Sequence, residues 1–181
     1  MLHSDMSSKL KIFIILLMPF SVSAEYIESL QANFEVNTQC KPDSDICNTT
    51  VTLEKNGSVI TKITSLEGPI FLSVPNKQIL SCESNAIMLT DAAEIYTLNG
   101  SKVAAIKHRG FLRTCGLTKD NTLYWFLYNK IVNSKPINIL VVANNSGNIA
   151  FEKELTNGGN ISFIYNQTSY VIAIPEPEYP G

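Results

Sequence analysis

The chain has 181 residues, with 14 Lys and Arg against 16 Asp and Glu, and 45% of its residues are hydrophobic. Its net charge of −2 argues against a nucleic-acid-binding protein, which presents a strongly basic surface. The length and the apolar content are sufficient for one domain with a substantial core.

Residues 1–24 have the layout of a cleaved secretory signal peptide. Two lysines precede an apolar run over residues 12–20, and small residues follow up to Ala24. The run is shorter than the roughly 20 residues that a membrane-spanning helix needs, and no later segment is long and apolar enough to span a membrane. We therefore predict cleavage after Ala24, whether translation starts at Met1 or at Met6. The mature protein would be periplasmic in a Gram-negative bacterium and secreted otherwise.

Four cysteines follow the predicted signal peptide, namely Cys40, Cys47, Cys82 and Cys115. An even number of cysteines in an exported chain predicts two disulfides. Of the three possible pairings we favour Cys40–Cys47, because a short loop closes at the lowest entropic cost, and this leaves Cys82–Cys115. The spacing of the first pair matches no common zinc pattern, so we do not predict a metal site.

The segment CKPDSDIC between Cys40 and Cys47 is a candidate recognition loop. A disulfide would close it into a small ring that carries Lys41, Asp43 and Asp45. The two aspartates lack the further oxygen ligands of a calcium loop. A rigid loop loses less entropy on binding than a flexible one. The loop is therefore predicted to be a stabilising cross-link first and a binding element second.

Beyond the signal peptide, β-branched and aromatic runs alternate with turn dipeptides, and almost no helical periodicity is present. This pattern is typical of an all-β antiparallel meander. The segment EYIESLQANF begins as a short helix or a first strand and continues as a strand. The other candidate strands include TTVTLEK, SVITKI, PIFLSV, KQILSC, EIYTL, KVAAIK, FLRTCGL, TLYWFLY, INILVVA, NIAFEKEL, NISFIYN and SYVIAI.

Three segments of the chain share one pattern of a glycine turn, a strand, a second glycine, a strand, a polar turn and a last strand. Their leading glycines are 43 and 47 residues apart. The leading glycines are Gly57, Gly100 and Gly147, and the second glycines are Gly68, Gly110 and Gly159. A period in the forties with about four strands per unit resembles the blades of a β-propeller.

This resemblance spans roughly residues 49–174 and concerns the fold only. It implies a single all-β domain over residues 25–174, made of about three four-stranded blade-like repeats near 49–84, 86–130 and 137–174. Closed propellers have four to eight blades, so the ring would be incomplete unless two chains complete one another. A two-sheet β-sandwich with regular hairpins is the alternative.

No catalytic signature is present in the sequence, because G-x-S-x-G, H-E-x-x-H, P-loop and G-x-G-x-x-G patterns are all missing. We therefore predict no catalytic residue, no cofactor and no metal. His108 is the one histidine after the signal peptide, and a hydrolase that uses it with carboxylates is a distant alternative.

A basic cluster surrounds this histidine and consists of Lys107, His108, Arg109 and Arg113. It is either a solvated turn or a patch that meets an acidic partner surface, where arginine makes bidentate contacts. The aromatic segment Thr122 to Tyr128 is either a central strand buried on both faces or an exposed binding stripe.

Together these features predict an exported, disulfide-linked, all-β protein-binding domain without catalytic activity. A concrete version is an inhibitor or immunity protein against an enzyme that acts in the cell envelope. The alternative is a structural or interaction module of an envelope or cell-surface assembly, for which a homo-oligomer is possible. The proline-rich segment 175–181 cannot extend a strand ladder and is predicted to form a C-terminal tail.

Overall fold

The structure is a computed structural model that describes residues 21–41, 47–66, 68–85, 90–107, 110–133, 135–156 and 158–174. Within these ranges the regular structure is β-strand, apart from one short 3₁₀ turn at Glu28–Leu30. The same ranges contain no helix long and apolar enough to cross a membrane.

The strands form four antiparallel sheets, and in each sheet the neighbours in sequence are also the neighbours in space. The first sheet contains β1 (Ser21–Ile27), β2 (Ala32–Cys40), β3 (Cys47–Lys55) and β4 (Ser58–Leu66). The second contains β5 (Ile70–Ser73), β6 (Gln78–Asn85), β7 (Thr90–Thr97) and β8 (Lys102–Ile106). The third contains β9 (Phe111–Leu117), β10 (Tyr124–Val132), β11 (Lys135–Ala143) and β12 (Ile149–Leu155). The fourth contains β13 (Gly159–Tyr165) and β14 (Thr168–Ile174).

The predicted all-β antiparallel meander of blade-like units is confirmed, with three four-stranded sheets followed by one hairpin. The leading glycines Gly57, Gly100 and Gly147 lie in equivalent turns between the third and fourth strands of their sheets. Their φ angles of 72°, 83° and 82° are in the left-handed region that glycine adopts without strain. The three equivalent turns explain why the sequence pattern was visible.

The repeat-like units of 49–84, 86–130 and 137–174 are offset from the sheets that hydrogen bonding defines. Each unit begins in the last strands of one sheet and ends within the next sheet. A glycine turn is a local feature, whereas the grouping of strands depends on which backbone groups pair. The sequence pattern therefore finds the period but not where each sheet starts.

The connections between consecutive sheets are short, so each sheet starts at the end of the molecule where the previous sheet finishes. They comprise residues 67–69, 107–110 and 156–158. Such a segment reaches at most about 14 Å, whereas a nine-residue strand is about 30 Å long. Each sheet must therefore begin at the end where the previous one finishes. We call this the connection end, and the end that carries the loops after β1, β3, β5, β7, β9, β11 and β13 the turn end.

Three buried clusters lie between consecutive sheets and form the core. The cluster between the first and second sheets contains Phe34, Val51, Leu53 and Ile79. The cluster between the second and third sheets contains Leu80, Ile95, Tyr124 and Phe126. The cluster between the third and fourth sheets contains Leu127, Leu140, Phe163 and Ile172. Strand β10 contributes to two of these clusters. The aromatic segment is thus a central strand buried on both faces, because alternate side chains face opposite sheets.

The structure contains both predicted disulfides. Cys40 and Cys47 are directly facing residues of β2 and β3. Cys82 on β6 and Cys115 on β9 are both buried and link the second sheet to the third. The first bond therefore closes a hairpin loop, while the second joins two layers of the core.

Strand β1 overlaps the predicted signal peptide. It begins at Ser21 and pairs with β2 along its whole length, with Ala24 facing Glu35. Cleavage after Ala24 would leave only Glu25 to Ile27 of this strand. The cleavage site stays a prediction.

Candidate recognition surfaces

The predicted recognition loop begins at the connection end of the first sheet. Lys41 follows β2 there and is exposed, next to the Cys40–Cys47 bond. Asp43 and Asp45 lie outside the described residues. The disulfide therefore holds the base of this loop at a defined place in the fold.

The basic cluster begins at the same end, after β8. Lys107 is exposed there, whereas His108 and Arg109 lie outside the described residues. Arg113 is an exposed residue near the start of β9, and its Nη1 donates to Oδ1 of Asn138 on β11, at 3.4 Å. The topology thus places Lys41, Lys107 and Arg113 toward one end of the molecule.

A cleft of about 450 Å³ also lies at the connection end. It is lined by Val132, Asn133, Pro136, Ile137, Glu154, Leu155 and Thr156. Leu155 is the cross-strand partner of Asn138, the residue that Arg113 contacts. Arg113 is thus linked to the cleft through Asn138 and Leu155, and the cleft itself has apolar residues and one acidic residue, Glu154, in its lining. Sequence reasoning missed the cleft because its two walls come from β12 and the β10–β11 hairpin.

The turn end carries a hydrogen-bond network that joins the second and third sheets. The Tyr124 hydroxyl donates to Gln78 Oε1 at 2.6 Å, and Gln78 Nε2 donates to the Asn145 carbonyl oxygen at 3.0 Å. Asn76 Nδ2 donates to the Thr122 carbonyl oxygen at 2.9 Å. Burial raises the pKa of the Tyr124 phenol, and the hydrogen bond from Asn76 only partly offsets this. The hydroxyl therefore stays protonated at neutral pH and remains a donor.

An ionic cluster lies on the second sheet and connects β7 with β8. Lys102 forms a salt bridge with Glu94 and lies 6.0 Å from the centroid of the Tyr96 ring. The Tyr96 hydroxyl donates to the same carboxylate. Burial alone would raise the pKa of Glu94, but the hydrogen bonds from Lys102 and Tyr96 outweigh it and lower the pKa. The pKa of Tyr96 is raised, mainly by burial and then by its hydrogen bond to the Glu94 carboxylate.

These side chains therefore pair with one another on β7 and β8. In the described part of the chain, His, Cys, Asp and Glu side chains do not gather in groups of three that could hold a metal ion.

A larger cleft of about 600 Å³ lies between β14 and the turn from β9 to β10. It is lined by Lys119, Asp120 and the four residues 168–171. Asp120 accepts hydrogen bonds from the Thr118 hydroxyl at 2.6 Å and from the Thr122 hydroxyl at 2.8 Å. These bonds outweigh the effect of burial and lower the pKa of Asp120. The carboxylate is therefore ionised and fixed as one wall of the cleft.

No family model matches the sequence, and no curated protein matches it. Solved structures do match at the level of fold. An acylaminoacyl peptidase in complex with Z-Gly-Gly-Phe-chloromethyl ketone has a TM-score of 0.53 and 12% identity, over 84% of this chain and 28% of that chain. The uncomplexed acylaminoacyl peptidase of Pyrococcus horikoshii has a TM-score of 0.51 and 14% identity, over 78% and 26%. The β-propeller domain of the Trilobed protease from Pyrococcus furiosus, which has an open velcro topology, has a TM-score of 0.49 and 12% identity, over 78% of this chain and 45% of that chain.

This chain spans about a quarter of the length of the two peptidase structures. At these identities the likeness concerns the fold alone. Together with the succession of four-stranded sheets, it confirms the predicted resemblance to propeller blades as a resemblance of fold.

Proposed function

We propose that this chain is an exported protein-binding domain without catalytic activity. The observation that carries the proposal is the connection end, where the exposed Arg113 contacts Asn138, and Leu155, the cross-strand partner of Asn138, lines a concave surface. Arginine at such a position makes directed contacts with carboxylates of a partner. The two disulfides support export, because such bonds persist in oxidising compartments.

The framework beneath this surface is suited to binding because it is cross-linked in several places. A disulfide and a hydrogen-bond network hold the second and third sheets together. A preorganised surface binds with a smaller loss of conformational entropy. On this basis we propose that the domain acts as an inhibitor or immunity protein that covers the active site of an envelope enzyme.

A test of the proposed function begins with capture of the partner from the native envelope under oxidising conditions, followed by titration calorimetry. We expect one stoichiometric partner whose affinity falls at least tenfold with Arg113→Glu or Glu154→Lys. Lys62→Glu is the matched control, because Lys62 is an exposed cation on β4 of the first sheet. Inhibition of the captured enzyme would support the inhibitor role. Equal affinities of the partner for all three variants would contradict the proposal that it binds at the connection end.

The second candidate is a module of an envelope or surface assembly, because the outer edge strands of the described sheets can accept a strand from another chain. An assembly module would co-fractionate with a large complex and would inhibit no enzyme, so the same capture experiment separates the two candidates.

A further inference from the structure

A small cleft opens at the turn end of the molecule, between the first and second sheets. Its volume is about 240 Å³. Its walls lie at the turns that follow β1, β3, β5 and β7, where Ser29, Lys55, Lys77 and Leu98 line it, respectively. The described lining residues all follow Ala24, so the cleft belongs to the predicted mature protein.

The floor of this cleft is apolar and is part of the core. Ala32 and Leu53 are 2% and 1% exposed and belong to the cluster between the first and second sheets. Leu30 and Leu98 are partly buried and pack against the same cluster. Ile60 also lines the cleft and is 41% exposed, which places it nearer to solvent. Such a floor favours contact with an apolar group over contact with water.

Two lysines make the cleft positively charged. Lys55 and Lys77 line it and are exposed, and neither ammonium forms an ion pair with a residue that the structure describes. Glu54 precedes Lys55 in the chain, but the alternation along β3 directs it to the other face of the first sheet. Glu28, in the turn after β1, does not line the cleft either. The two positive charges therefore lack a counter-charge among the described residues of the lining.

Hydrogen bonds hold the segments that form the walls. The buried Thr61 hydroxyl donates to the Leu98 carbonyl oxygen and so joins β4 to the turn between β7 and β8. Asn76, which precedes Lys77, donates from Nδ2 to the Thr122 carbonyl oxygen at 2.9 Å. The walls are thus fixed before a ligand binds, which lowers the entropic cost of binding.

Lys77 occupies a backbone position that does not favour lysine. Its φ angle is 52°, in the left-handed region that glycine and asparagine adopt more readily. Departures from local conformational preference are concentrated at functional sites. The turn itself does not need a lysine here, and a positive charge at the cleft is what this residue adds.

We propose that this cleft, which we call the lysine cleft, binds a segment of a partner protein in which carboxylates flank one large apolar side chain. The apolar side chain would cover the floor, and the carboxylates would pair with Lys55 and Lys77. The small volume supports one side chain as the occupant, because pockets that enclose a small-molecule ligand measure about 300–1,000 Å³. An apolar anchor in a pocket supplies affinity, and the charges around it supply specificity.

This inference goes beyond the proposed function, because it adds a second binding surface. The proposed contact with an enzyme lies at the connection end, around Arg113, whereas the lysine cleft lies at the turn end. Either surface can therefore fail its test while the other passes. Accordingly, Arg113→Glu should leave binding at the lysine cleft unchanged.

The test is an NMR titration of the full mature protein, with both disulfides formed, against capped pentapeptides. The probe GDFDG has the proposed chemistry, GNFNG lacks its charges, and GDGDG lacks its apolar side chain. We expect GDFDG to shift the amide signals of Lys55, Lys77 and Leu98 to saturation. The other two peptides should bind at least tenfold more weakly.

Substitutions in the cleft should weaken this binding while the protein stays folded. Lys55→Gln and Ile60→Ser should each lower the affinity for GDFDG at least threefold, because one removes a charge and the other an apolar contact. Lys77→Asn should lower the affinity to a similar extent, and its Tm should be no lower than that of wild type, because asparagine suits the positive φ angle. Lys62→Gln is the matched control and should bind as wild type does, because Lys62 is an exposed lysine on β4 outside the lining.

Five outcomes would overturn the inference. GDFDG could give no saturable shift, or GNFNG could bind as tightly as GDFDG, which would mean that the lysines take no part. Lys62→Gln could weaken binding as much as Lys55→Gln, which would identify a general attraction between charges. Octanoate could bind more tightly than GDFDG and shift the same signals, which would identify an amphiphilic small molecule as the ligand. The cleft signals could change with protein concentration in the absence of peptide, which would identify a second copy as the occupant.

Discussion

Tyr124 illustrates how a single buried hydroxyl ties two sheets together. The ring lies in the cluster between the second and third sheets, and its hydroxyl donates to Gln78. Gln78 in turn holds the backbone of Asn145 in the β11–β12 turn. Loss of the hydroxyl would leave a buried amide oxygen without its donor.

We expect Tyr124→Phe to lower the free energy of unfolding by about 1–3 kcal/mol, because an unsatisfied buried acceptor loses its hydration without compensation. Urea unfolding followed by circular dichroism measures this. Tyr26→Phe is the matched control, because Tyr26 is 60% exposed and should be unaffected. Equal stability of the two variants would show that the hydroxyl contributes nothing to sheet association.

Glu94 makes a contribution to the stability of the fold that depends on pH. Its pKa is lowered from an ordinary value of 4.5 by hydrogen bonds from Lys102 and Tyr96 that outweigh burial. A lowered folded-state pKa stabilises the fold at pH above the unfolded value, and this stabilisation disappears as pH falls through the folded value.

We therefore expect wild type to have a higher Tm than Glu94→Gln at pH 7, with the difference shrinking as pH falls below the ordinary value of 4.5 and through the lower folded-state pKa. Thermal scans of both proteins from pH 3 to 7 measure the difference. Lys102→Met should remove most of the same pH dependence, because it removes the main partner of the carboxylate. A difference that persists in acid would contradict the ionic origin.

At the scale of elements, the two disulfides differ in what they constrain. Cys40–Cys47 closes a separation of 7 residues, and Cys82–Cys115 closes a separation of 33 residues. Loop-closure entropy grows with the logarithm of loop length, so the longer loop constrains the unfolded chain more.

We expect replacement of Cys82 and Cys115 by alanine to cost about 4 kcal/mol, against about 2.5 kcal/mol for replacement of Cys40 and Cys47. Guanidinium unfolding of the two double variants measures the order. The reverse order would show that native-state packing, rather than chain entropy, dominates the contribution of these bonds.

The sequence predicted the elements well where their signals are local. Asn56-Gly57 and Asn99-Gly100 identify tight turns, because Asn56, Gly57 and Gly100 have positive φ angles that few residue types adopt. The sheet boundaries were not predictable, because they depend on long-range pairing. The same holds for the candidate site. The cleft at the connection end has walls from β12 and from the β10–β11 hairpin, and Arg113 reaches Asn138 across a separation of 25 residues.

At the scale of the whole molecule, cleavage of the predicted signal peptide would shorten the first sheet. Strand β1 starts at Ser21, inside the predicted signal peptide. We expect the exported protein to begin at Glu25, because the small residues that precede it are typical of a signal peptidase site. Intact-mass measurement of the exported protein tests this. A mass that includes Ser21 would contradict cleavage after Ala24 and would keep all seven β1–β2 pairs.

The succession of meanders has a consequence for how the chain acquires its structure. The strands of each sheet come from one uninterrupted stretch of the chain, so the hydrogen bonds within a sheet have low contact order. A nascent polypeptide can therefore fold vectorially, with the first sheet formed before the third has been synthesised. The Cys82–Cys115 bond must wait until β9 has emerged. Oxidative trapping of stalled nascent chains should accordingly detect Cys40–Cys47 at shorter chain lengths than Cys82–Cys115.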